Sequence, residues 1–194
     1  RIAASPEARG KGVVVALNGQ INAARDVTKT HTSQVETFRS LEFGELGIAD
    51  SEAVRFYRAP LRRQTIPTNA STRLPRVEIV YSYAGADGRL IRALAKEPDL
   101  GGIVVAGVGL GNVPQGVADA IADARKQGIP VVVGTRVLSG RVFSLGDGPS
   151  SAIGLKKIGC VLADNLSPQK SRVLLMLGLT VTKDPVALQK YFDN

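Results

Sequence analysis

Apolar residues come in two textures along this chain of 194 residues. Near the start, Gly12 to Leu17 is an unbroken valine-rich run, the pattern of a strand buried on both faces. Asn18-Gly19 follows as a two-residue hairpin signal, so Ile21 to Thr32 reads as the returning strand. From Leu41 to Pro75 the periodicity fades among Gly44, Gly47, Pro60, Pro67, Asn69, Ser71 and Pro75, and Arg63 to Leu74 reads as a linker. Beyond it the texture becomes regular. Val77 to Tyr83 predicts a strand, Asp87 a cap for a helix carrying Leu90, Ile91 and Leu94, and Gly102 to Ala106 a second strand. Pro114 opens a helix with Val117, Ala120, Ile121 and Ala124 on one face, closed by Gly128, and Ile129 to Val133 returns as a strand. A fourth short strand fits Gly159 to Leu162. Ser167-Pro168 and Asp184-Pro185 each place a cap before an N1 proline, which predicts two closing helices. Alternation of this kind implies a parallel, doubly wound sheet flanked by helices.

Composition narrows the function classes. Hydrophobic residues make up 44% of the chain, enough to bury a real core, and no apolar run approaches the ~20 residues that span a bilayer. The chain is therefore expected to be soluble, with no membrane partner. A net charge of +8 invites a nucleic-acid reading, yet the cations are scattered and aromatics are only 5%, so no stacking platform accompanies them. Arg55 to Arg63 alternates with Phe56, Tyr57, Pro60 and Leu61 and reads as a linker strand with a solvated basic face. The single cysteine, Cys160, sits among Ile158, Val161 and Leu162 and reads as a small buried hydrophobe. Ala3 to Gly10 resembles the end of a helix closed by a glycine. A chain opening inside an element is expected to be the later part of something longer.

Three places could carry chemistry. Gly107-Val108-Gly109-Leu110-Gly111-Asn112 follows a strand and precedes a helix, the setting of a dinucleotide-binding loop. Its third glycine is misplaced and no acidic residue closes the next strand, so a tight turn leaving the sheet competes with phosphate binding. Thr28-Lys29-Thr30 places one lysine among hydroxyls. Partial desolvation there would let the lysine poise a neighbouring nucleophile, while an outward lysine on a threonine-rich edge is the plain alternative. His31 is the only histidine, which leaves no His-based triad or multi-histidine metal site within the chain, and it reads as a surface or interface residue. Asp147, between Gly146 and Gly148, and Asp164, before Asn165, read as turn residues.

Several separated segments then agree with one family. They include Arg25 to Thr30 with Thr32, Phe38 and Ser40; Gly44-Glu45-Leu46-Gly47; Leu74-Pro75-Arg76-Val77; Ile79 to Tyr83; Gly102-Ile103-Val104 with Ala106 to Gly109; Arg136-Val137; Pro168 to Arg172; Thr180 with Thr182 to Pro185; and Tyr191-Phe192. In this order they resemble the later half of bacterial type II L-asparaginases, including the glutaminase-asparaginases. The resemblance implies the end of an N-terminal α/β domain over 1–62, a linker over 63–74 and a small flavodoxin-like C-terminal domain over 75–194. It implies hydrolysis of L-asparagine, and of L-glutamine, to the acid and ammonia by a threonine nucleophile, with no cofactor or metal. It also implies a homotetramer built as a dimer of dimers and export to the periplasm. Lys29 matches the family's active-site lysine, which works with a second threonine and an aspartate in proton transfer.

The departures are informative. The family's nucleophile lies in a T-G-G-T-I-type segment and its threonine-aspartate pair in an H-G-T-D-T-type segment; neither occurs in these 194 residues. Lys29 is then without triad partners, and the polypeptide alone is expected to be inactive. Family members also lend a neighbouring subunit an asparagine, at the position of Gly85, and a glutamate from the loop before the final strand. Ser144 to Lys157 contains no glutamate, and Asp147 is the nearest substitute for a substrate contact in the neighbouring subunit. His31 stands where many relatives carry asparagine, and Leu110 interrupts a loop often reading G-N-G-N. The competing reading is a non-catalytic flavodoxin-like module for ligand binding or oligomerisation.

Overall fold

A computed structural model describes residues 1–61 and 64–193. The chain divides into two compact units, 1–63 and 64–194. The expected junction between residues 62 and 63 falls on Arg62 and Arg63, which lie outside the described residues, as does the end of the expected basic strand. Residues 64–75 contain no helix or strand.

The first unit is built from short antiparallel strands. β1 (Val14–Leu17) and β2 (Gln20–Ala23) form the expected hairpin, with Leu17 paired to Gln20. Asn18 and Gly19 both take positive φ, 49° and 75°, as a turn matched to strand twist requires. The returning strand does not run to Thr32. After Ala23 the N–H groups of Asp26 and Val27 both turn back onto the Ala23 carbonyl at 3.0 Å, which ends the ladder and starts a separate β3 (Thr28–Lys29). β3 pairs with β4 (Phe38–Arg39). The irregular stretch after Leu41 hides a second hairpin, β5 (Gly47–Ala49) with β6 (Val54–Phe56), whose three-residue strands are too short to show a period.

The main sheet of this unit runs β1-β2-β5-β6. β1 is therefore an edge strand with Ala16 and Leu17 exposed, not the doubly buried strand that its valines suggest. β2 takes the interior place instead: Ile21 is fully buried, and buried Asn22 accepts a 2.7 Å hydrogen bond from the Ser40 hydroxyl. The expected helix end before Gly10 is a single 3₁₀ turn at Pro6–Ala8, since proline lacks the N–H that an incoming helix would use.

The second unit holds a parallel sheet of β7 (Arg76–Tyr81), β8 (Leu100–Gly107), β9 (Val131–Thr135) and β10 (Val161–Leu162). The order is sequential, β10-β9-β8-β7. α1 (Arg89–Leu94), α2 (Gln115–Lys126) and α3 (Ala152–Lys157) make the crossovers and share one core, formed by Ile91, Ile121 and Leu155 against Ile103, Val105 and Val131. α4 (Pro168–Gly178) and α5 (Pro185–Phe192) cover the other face, where Leu175, Leu188 and Phe192 meet Val104 and Val132. Successive β8 residues thus point to opposite cores, the period of two expected of a strand covered on both faces.

Ser167 and Asp184 cap α4 and α5 as predicted, accepting from Lys170 N at 3.4 Å and Ala187 N at 2.9 Å. Asp87 is not the N-cap of α1. Gly88, at φ 82°, takes that position, and Asp87 Oδ1 accepts from the Arg89 backbone at 3.1 Å and also from its guanidinium. These bonds hold the Asp87 carboxyl below its ordinary value, with the Arg89 side chain the largest cause. α3 has no counterpart in the hydrophobic pattern, because six residues offer only Ala152 and Leu155 as buried apolar marks. Its one legible sign is Ser151, whose hydroxyl accepts from Gly154 N at 3.1 Å.

Cys160 is 3% exposed, and burial pushes its thiol up to about 12. It should resist iodoacetamide at pH 7.5 in the folded chain and react fully in denaturant; rapid alkylation before unfolding would refute its burial. Gly154 faces the Gly148 carbonyl so closely that a Cβ would stand 2.1 Å from that oxygen. Gly154→Ala should therefore cost about 1–3 kcal/mol in urea unfolding and shift the amide signals of residues 146–149. An unchanged urea midpoint would refute this contact.

Candidate functional site

Lys29 is set by a two-stranded ladder in the first unit. Thr28 pairs with Arg39 and Lys29 with Phe38. The loop beyond is closed by Thr30, whose N–H and hydroxyl both donate to the Thr37 carbonyl, at 2.7 and 2.9 Å. Thr37 is 2% exposed, and its hydroxyl accepts from His31 N at 2.8 Å and donates to the His31 carbonyl. The Lys29 Nζ lies 5.2 Å from the centre of the Phe38 ring, within range of a cation–π contact. Lys29 itself is exposed rather than partly desolvated. Thr28 precedes it in the strand and so lies on the opposite face, and the Thr30 hydroxyl is taken by Thr37. The lysine among hydroxyls in sequence is therefore a lysine beside an aromatic ring in space. A pocket of about 220 Å³ in this unit is lined by Arg25, Asp26, Phe43, Gly44, Arg58 and Pro60, among others, but not by Lys29.

His31 is exposed, and it also shapes a turn. Its Nδ1 accepts from Ser33 N and Gln34 N, both at 3.2 Å. The sign in the sequence was a side-chain acceptor two residues before Ser33, the spacing by which Asx residues organise turns.

Asp147 belongs to the second unit. It is an exposed residue of the loop between β9 and α3. That loop is shaped by Ser144, which accepts from Gly146 N at 3.2 Å, and by Ser151 N, which donates to the Gly148 carbonyl at 3.0 Å. Gly85 lies exposed at φ 83° in the turn after β7. At the same sheet end, the Thr135 hydroxyl donates to the Gly109 carbonyl at 2.6 Å.

The glycine loop closes on itself. The N–H groups of Gly111 and Asn112 both reach the Val108 carbonyl at 3.0 Å, and a Cβ on Gly107 would stand 2.8 Å from the Gly111 carbonyl carbon. These glycines serve a close turn. The sheet has no reversal of strand order, so it lacks the switch point at which doubly wound folds open a ligand crevice. Among the described residues no group of three or more His, Cys, Asp or Glu is placed to hold a metal ion, and no helix is long and apolar enough to cross a membrane.

A family model described as "Asparaginase, N-terminal" matches residues 1–62, and one described as "Glutaminase/Asparaginase C-terminal domain" matches residues 76–192. The chain is similar to the probable periplasmic L-asparaginase of Haemophilus influenzae, with 40% identity over 100% of this chain and 55% of that protein. It is 39% identical to L-asparaginase 2 of Escherichia coli, over 99% of this chain and 55% of the relative. It is 35% identical to the glutaminase-asparaginase of Pseudomonas fluorescens biotype A, over 98% and 52%. The chain spans about half the length of the curated relatives it matches. With the N-terminal model ending within the first unit and the C-terminal model occupying most of the second, the chain belongs to the glutaminase/asparaginase family.

Proposed function

We propose that this chain supplies Lys29 and the C-terminal domain to an amidohydrolase that converts L-asparagine to L-aspartate and ammonia, and acts likewise on L-glutamine. The observation that supports this most is Lys29 itself, which lies inside the stretch matched by the N-terminal family model and is presented on an ordered hairpin. The names of the relatives supply the substrates: L-asparaginase for two of them and glutaminase-asparaginase for the third.

In this reading a threonine hydroxyl attacks the side-chain amide carbon, ammonia leaves, and water then cleaves the resulting ester to release the acid and the threonine. A hydroxyl is a weak nucleophile until a base takes its proton, and a desolvated lysine amine is such a base. Lys29, through a second threonine and an aspartate, carries that proton and returns it to the leaving nitrogen. Proton uptake of this kind calls for burial that the exposed hairpin does not provide by itself. The polypeptide carrying the T-G-G-T-I-type and H-G-T-D-T-type segments supplies that cover, along with the nucleophile. The 194 residues contain neither segment and are inactive alone. Asp147 takes the place of the glutamate that reaches a neighbouring subunit's substrate, within a homotetramer arranged as a dimer of dimers. A periplasmic location follows the name of the Haemophilus influenzae relative.

The purified chain incubated with L-asparagine should release no ammonia above buffer. Combined with a polypeptide bearing both missing segments, it should turn over asparagine, and Lys29→Ala should lower kcat of that assembly by about 10²–10⁴ with KM little changed. Turnover by the chain alone, abolished by Lys29→Ala, would show that the nucleophile lies within these residues.

A further inference from the structure

Among the described residues the parallel sheet of the second unit ends in β10, which pairs with β9 alone, and in β7, which pairs with β8 alone. An edge strand turns a row of backbone donors and acceptors away from the sheet, every second residue contributing its N–H and C=O. In β10 that residue is Leu162, because the next amide, Ala163 N, points inward and donates to the Val133 carbonyl at 2.9 Å. Both outward groups of Leu162 are taken by one side chain. Its N–H donates to Gln189 Oε1 at 2.8 Å, and Gln189 Nε2 donates to its carbonyl at 3.0 Å. The second hydrogen of Nε2 goes to Asp193 Oδ1 at 2.8 Å, which fixes the orientation of the carboxamide. Buried Leu188 and Phe192 anchor α5 on either side of Gln189. A carboxamide carries the donor and acceptor of a peptide group, so Gln189 stands where a residue of a further strand would pair.

We propose that Gln189 is a surrogate strand that closes the β10 edge against a second copy of this chain. β10 is short, but residues 159–163 read Gly-Cys-Val-Leu-Ala and hold neither the charge nor the proline that keeps exposed edges apart. The same uncharged segment on another molecule presents the same outward groups and nothing that repels, so a second copy is the partner this edge would take. The opposite edge differs. There β7 carries Arg76 and Glu78, paired at 2.8 Å, and Arg172 Nε donates to the Val77 carbonyl at 2.7 Å. The closure is independent of the chemistry assigned to Lys29.

Gln189→Leu keeps an apolar stem and a good helix former while removing both bonds to Leu162. In amide exchange by NMR on the intact chain, protection of Leu162 should fall about ten-fold in this variant, while Ala163, bonded to β9, keeps its own. Light scattering over a range of protein concentrations should show faster association than in the unsubstituted chain. Gln189→Arg sets a charge on the edge without an acceptor for Leu162 N, and should lose the protection without gaining the association. Ile91→Val, which weakens the core at α1, reports lost stability alone and should accelerate association less than Gln189→Leu does. Unchanged Leu162 protection or unchanged association in Gln189→Leu, or association in Gln189→Arg or Ile91→Val as fast as in Gln189→Leu, would each overturn the closure.

Discussion

Buried backbone amides and carbonyls have to be paired, and this chain meets that demand with strands of very different length. In the second unit the demand is met by β8, which pairs along its length with β7 on one side and β9 on the other. A strand with partners on both edges and helices on both faces has no place for a polar side chain. Ile103, Val104 and Val105 are accordingly fully buried. Each buried valine or isoleucine contributes roughly 1.5–3 kcal/mol relative to exposure. In the first unit the same demand falls on ladders of two to four residues, and side chains complete what the backbone leaves open. Asn22 with Ser40, and Thr30 with Thr37, are instances.

That difference explains what was legible. The second unit could be read almost whole, because long apolar strands and capped helices leave periodic traces; Ser167 and Asp184 stand as N-caps where they were expected. α3 escaped because its burial rests on two apolar side chains and on Gly154 packed against the Gly148 backbone, a contact between glycines that leaves no hydrophobic mark. In the first unit the valines of β1 were misleading. Composition shows affinity for a strand but not whether the strand has neighbours on both sides, and β1 has only β2. The break after Ala23 was invisible for a similar reason, since a turn made by two N–H groups sharing one carbonyl needs no proline or glycine. Around Lys29, the strand was legible in the sequence and the neighbours of the side chain were not. Adjacent threonines in sequence become opposite faces in a strand, and the neighbour that matters, Phe38, arrives by pairing from nine residues away.

The hairpin offers the proposed chemistry a lysine with a fixed stem and an open head. Phe38 restrains the side chain, and Thr30 and Thr37 hold the loop root. Such a lysine is positioned but not desolvated. Among the described residues the sheet of the second unit has no reversal of strand order, and its glycine turn closes on itself.

The central claim is that Lys29 acts by moving a proton rather than by its charge alone. Arginine separates the two, because it keeps the cation and can stack on Phe38 but does not release a proton at accessible pH. The direct measurement is ammonia release by the assembly of this chain with the segments it lacks, made with Lys29→Arg. Turnover as low as that of an alanine substitution is the predicted result, and an arginine variant that hydrolyses asparagine at the unsubstituted rate would contradict proton transfer at this position.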